Sequence, residues 1–173
     1  MKYLLLLVLQ SLIVSHSFAS EFDGVYSSDH KDMKCSGEWS HPFLPTQGKL
    51  NHGTPDGALI FNESKSVELN FSEEDTVLKV KKVSRNGSTR NYSLQKAKNK
   101  SVKISFANEK IYLAQKRLVQ SNWDYGLYLG TTFNQRFMAV LSLDENRDLV
   151  LENFSSYGLG KLKLKKRCIL PRI

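Results

Sequence analysis

Two cysteines, three histidines in one early stretch and a run of nine bases are the residues here whose types and spacing could do chemistry. Cys35 and Cys168 can either join or leave a lone thiol for a catalytic histidine. His30, His41 and His52 fall close together, with Asp29, Asp32 and Glu38 nearby. Imidazole suits zinc or copper, but this spacing follows no ligand pattern. Three solvent-exposed histidines in a polar loop account for it as well, so no metal is expected. Glu73-Glu74 is a carboxylate pair at a turn between strands, where exposure is the ordinary explanation. No Gly-x-Ser-x-Gly, His-Glu-x-x-His or phosphate-binding glycine loop occurs, so no catalytic residue and no cofactor is expected.

The compartment bears on the cysteines. Residues 1–19 carry Lys2, an apolar stretch from Tyr3 to Val14, then small polar residues with Ser17 and Ala19 spaced for cleavage. This is the pattern of a secretory signal peptide, shorter than the ~20 apolar residues of a spanning helix. The remainder, 20–173, has the length of one domain, and no second segment is apolar enough to enter a membrane. Export to an oxidising compartment, secreted or periplasmic, favours a Cys35–Cys168 disulfide closing a loop of 134 residues.

The elements that must position these groups are strands. Ser66–Phe71 sets Val67, Leu69 and Phe71 on one face against Glu68 and Asn70. Ser101–Phe106 repeats the pattern with Val102, Ile104 and Phe106. Phe22–Ser27, Thr76–Val83, Arg90–Gln95, Lys110–Ala114, Phe137–Leu143, Asp148–Phe154 and Lys161–Arg167 read the same way. Asn86-Gly87 and Ala107-Asn108-Glu109 suit tight hairpins. The fold class is all-β: an antiparallel up-and-down barrel of about 8–10 strands, because closure removes aggregation-prone edges. A two-sheet β-sandwich is the alternative. Residues 29–57 hold three of the four prolines and read as one long irregular loop with at most a short strand.

Gly37-Glu38-Trp39, followed 85 residues later by Asp124-Tyr125-Gly126-Leu127-Tyr128, resembles the paired motifs of the lipocalins. The resemblance implies a ligand-binding barrel whose tryptophan closes one end under an arginine, here Arg136 or Arg147. It also implies ligand contacts from Trp39, Tyr125 and Tyr128. The chain departs from the pattern where Ser-His-Pro-Phe-Leu-Pro follows Trp39, and only 45 residues follow Tyr128.

Charge is unevenly spread. Residues 20–75 carry a net charge of −7, while 76–108 hold nine bases and no acid, and 153–173 six bases and no acid. Lys79, Lys81, Lys82, Arg85 and Arg90 lie on one expected hairpin and would form an anion-binding patch. In a closed barrel, Lys161, Lys163 and Lys165 would instead lie beside Asp23 and other early acids. Six of eleven asparagines (Asn62, Asn70, Asn86, Asn91, Asn99 and Asn153) begin Asn-x-Ser triplets, glycan acceptors only on a eukaryotic route. Two functions follow: a non-enzymatic exported barrel holding a small apolar or amphipathic ligand, and an interaction module whose basic face takes anionic glycan or lipid headgroups. A secreted inhibitor or an unrecognised enzyme ranks last. Nucleic acid is not an expected partner, since no recognition motif appears.

Overall fold

The computed structural model describes residues 20–46, 58–61, 64–96, 102–121, 131–157 and 160–173, with side chains described except at 116–121, 131–135 and 157. The leader at 1–19, His52, Tyr125, Tyr128, Asn62 and Asn99 lie outside the described residues.

Twelve strands and no helix occur among the described residues. They are β1 (Gly24–Ser27), β2 (Lys34–Gly37), β3 (Phe43–Pro45), β4 (Ala58–Ile60), β5 (Ser64–Ser72) and β6 (Val77–Ser84). The series continues with β7 (Thr89–Gln95), β8 (Val102–Ala107), β9 (Lys110–Ser121), β10 (Thr131–Leu143), β11 (Leu149–Tyr157) and β12 (Lys163–Leu170). One sheet has the order β1-β5-β6-β7, a second β2-β12-β11-β10-β9-β8, and β3 pairs with β4 alone. Every pairing is antiparallel.

Alternation selects the buried face. Val67, Leu69 and Phe71 of β5 and Leu78 and Val80 of β6 are buried, with Asn70, Lys79 and Lys81 exposed between them. Val102 and Ile104 of β8, Ile111 and Leu113 of β9, Leu141 of β10 and Leu149 and Leu151 of β11 join the same core as the residues of the first sheet. The rings of Phe22, Phe71 and Phe106 meet across the sheets at 5.3–6.3 Å. Gly87 takes φ 81° in the β6–β7 turn, where Asn86 Oδ1 accepts from the Ser88 amide at 3.0 Å. Asn108 and Glu109 take φ 50° and 56° at the β8–β9 turn, a geometry matching the right-handed twist of the flanking strands.

Among the described residues the two sheets are open, and no ladder joins β7 to β8. At the other edge the chain end reaches β1. The Ser27 amide donates to the Pro171 carbonyl at 2.8 Å and the Ile173 amide to the Val25 carbonyl at 2.9 Å, around a Tyr26–Arg172 bridge. Arg172, not the expected lysines, meets Asp23, donating to its carbonyl at 2.5 Å. Lys165 does meet an early acid, Glu38, because β12 carries β2 on its free edge.

The expected irregular loop at 29–57 contains β2 and β3. Neither is built on apolar alternation, so period alone does not reveal them. Cys35 lies opposite Cys168 and is bonded to it, clamping the wholly exposed β2 to β12. Lys165 is the extra residue of an irregularity in the β11–β12 ladder. Its carbonyl accepts from the Glu38 amide at 2.7 Å and the Trp39 amide at 3.3 Å. β3 is held by one side chain: Asn153 Oδ1 accepts from the Phe43 amide at 3.0 Å, and its Nδ2 donates to the Phe43 carbonyl at 2.7 Å. A buried asparagine thus stands in for a strand neighbour, and it lets Leu44, Leu59 and Phe61 seal this end of the core.

Candidate functional site

The outer face of β5-β6-β7 is a grid of polar side chains set by register. Glu68, Lys81 and Asn91 form one row, and Asn70, Lys79 and Ser93 the next. Between these rows lies a shallow trough of about 470 Å³ lined by the six side chains together with Val80 and Tyr92. A hollow of about 180 Å³ extends it past Asn70 and Lys79 to Ser72, Asp75, Val77 and Gln95. Lys81 Nζ sits 3.1 Å from Glu68 Oε2 with both side chains about half exposed, which is a weak pair. Among the described residues Lys79 has no ion-pair partner. The trough therefore offers one uncommitted cation among amide, hydroxyl and carboxylate groups.

The five bases expected on one patch separate into three places. Only Lys79 and Lys81 share the outer face. Lys82 has the parity of Leu78 and Val80, is 8% exposed, and donates to the Ile60 carbonyl at 3.0 Å. Arg90 lies opposite Lys82 in register and is exposed. Arg85, at the β6–β7 turn, reaches His30 Nδ1 at 2.6 Å and Asp29 Oδ1 at 3.8 Å. The Lys31 backbone amide, with Arg85 and His30 behind it, holds the Asp29 carboxyl below its ordinary range. Asn70, Asn91 and Ser93 were absent from the expected site. Their positions in the alternation, opposite to Leu69, Phe71, Tyr92 and Leu94, are the signal that could have found them.

Trp39 stacks on Phe43 with ring centres 5.0 Å apart, and Phe137 lies 6.2 Å from it. The arginine expected over this tryptophan is elsewhere. Arg136 neighbours Phe137 in sequence and so projects from the opposite face of β10, where its Nε donates to Ser156 Oγ at 3.0 Å. Arg147 belongs to the β10–β11 turn, its amide bonded to the Asp144 carbonyl. His30 and His41 do not converge. His41 bonds Ser40 at 2.8 Å, and no group of metal-ligating side chains forms among the described residues. Asn70, Asn86 and Asn91 are exposed, whereas Asn153 and Ser155 of the last triplet are buried.

No protein-family description, curated protein or solved structure matches this chain.

Proposed function

We propose that this chain is an exported, non-enzymatic binding module that takes an acidic glycan on the outer face of β5-β6-β7. The trough around Lys79 carries the reading. Lys79 and Lys81 stand two residues apart on one strand, about 7 Å, as cations on a rigid wall. Asn70, Asn91 and Ser93 offer donors and acceptors for hydroxyls, and the Glu68–Lys81 pair offers both charges at the rim. Lys79, unneutralised, selects for an acidic group on the sugar. A sheet supports such a surface better than a loop, because its register fixes the spacing of the contacts.

The disulfide and the signal-like leader support an extracytoplasmic setting. The backbone bonds from β1 to 171–173 support a barrel-like wall over two separate layers, in keeping with the lipocalin-like resemblance. An interior ligand is the weaker reading. The inner positions are occupied by packed side chains such as Leu69, Leu78, Ile111, Leu113, Leu141 and Leu151, all below 2% exposed.

Immobilised heparin serves as the acidic polysaccharide probe. The oxidised protein is expected to be retained and to elute as salt rises, since exposed charges are screened beyond about 8 Å at physiological ionic strength. Lys79→Glu should lose most of that retention and Lys82→Gln little of it. Equal retention of wild type and Lys79→Glu would refute the site.

A further inference from the structure

The outer face of the second sheet has a chemistry that a water-facing sheet surface does not need. Antiparallel sheets with one face on a core are ordinarily polar on the other, as β5-β6-β7 is. On the second sheet, register aligns Ala114 of β9, Met138 of β10, Phe154 of β11 and Leu164 of β12 in one row. All four have the parity opposite to the core residues Leu113, Ala139 and Leu151 or lie in register with those that do. The row ends in the open: Leu164 is 47% exposed, and Leu162 just before it 37%.

Cations frame this apolar row. Lys103 of β8 is in register with Ala114 at one end of the row and is exposed. Arg136 lies in the adjoining row above Met138, and Arg167 in the row below. Glu152 is the one acid in these rows, and Arg167 stands 3.6 Å from it. Half-buried apolar side chains ringed by long basic ones are what a bilayer interface selects: the apolar groups enter the headgroup boundary and the cations meet lipid phosphate.

The geometry points to the outer face of β8–β12 as a docking surface for an anionic lipid bilayer, with Leu162, Leu164 and Phe154 as the inserting groups. This surface belongs to a different sheet from the glycan trough and does not depend on it.

Sedimentation with phosphatidylcholine vesicles, with and without phosphatidylglycerol, tests the assignment. Wild type should bind the phosphatidylglycerol vesicles and bind phosphatidylcholine alone far more weakly. Lys103→Glu with Arg167→Glu should weaken binding by about fivefold or more for each base changed. Leu162→Glu with Leu164→Glu, at exposed positions that leave the core intact, should weaken it by about tenfold. Heparin retention should survive both pairs of changes. Three results would overturn the assignment: equal binding to both vesicle types, no effect of the leucine changes, or loss of vesicle binding on Lys79→Glu in place of these variants.

Discussion

Asn153 gives the sharpest test of how the fold is held together. Its carboxamide makes two bonds to the Phe43 backbone, at 3.0 and 2.7 Å, and has no exposure. Asn153→Ala removes both and strands a buried amide and a buried carbonyl. Each net hydrogen bond is worth about 1 kcal/mol, and each buried orphan costs about 1–3 kcal/mol. The expected loss is therefore about 2–4 kcal/mol, since partial relaxation lets water reach one group. For a domain of this size that lowers Tm by roughly 4–16 °C. Asn153→Asp should be no better, because a carboxylate cannot donate to the Phe43 carbonyl and would be buried as a charge. The assay is urea denaturation followed by tryptophan emission in a Trp123→Phe background. Trp39, stacked on Phe43, then reports directly on β3, and its emission should shift in the variant before global unfolding. A loss under 0.5 kcal/mol, or an unshifted Trp39 signal, would refute the role of Asn153 as the clasp of β3.

Gly37→Ala should destabilise by about 3 kcal/mol or more. Gly37 holds φ 119°, and a methyl there would stand 2.4 Å from the Lys165 carbonyl oxygen; amide exchange at Glu38 and Trp39 should rise together, and unchanged exchange would count against the strain. Reducing Cys35–Cys168, with its separation of 133 residues, should cost up to about 5 kcal/mol in the chain-entropy account; an unchanged urea midpoint in reductant would dismiss the clamp. Tyr26 is buried and its hydroxyl donates to the Phe22 carbonyl at 3.0 Å, so burial raises its pKa above the ordinary 10.0. The unfolded chain then releases this proton first as pH rises, so the stabilisation is full below pH 10.0 and is lost as pH rises through the higher folded value. Tyr26→Phe should flatten that alkaline decline, and an unaltered pH profile would show that Tyr26 does not cause it.

The nine runs of alternating residues all became strands, because where a sheet has one wet face the pattern and the fold are the same fact. β2, β3 and β4 were not legible in this way. Their positions depend on contacts far along the chain: Cys35 with Cys168, Phe43 with Asn153, and the Ile60 carbonyl with Lys82. No local period encodes a partner 110 residues away. The candidate site was half legible. Counting charge led to Lys79 and Lys81 but also drew in Lys82, whose parity with Leu78 and Val80 already turned it inward. Reading parity before charge would have exchanged Lys82 for Asn70 and Asn91.

The same parity distinguishes the two sheets more deeply than charge does. In β5 polar residues alternate strictly with apolar ones from Ser66 to Ser72, whereas β10 runs Phe137-Met138-Ala139-Val140-Leu141 with apolar residues at both parities. A strand apolar on both faces is normally covered on both. Here one face meets the core, and Leu164 and Leu162 show that the far side is not fully covered by the described chain. Because both sheets turn their inner faces to one core, the trough around Lys79 and the apolar row ending at Leu164 look outward from different sheets. A bilayer held by the second sheet would therefore leave the trough free to meet a glycan in solution. The order of effects follows: adding phosphatidylglycerol vesicles should leave heparin binding intact, and competition between the two would mean that a single surface serves both.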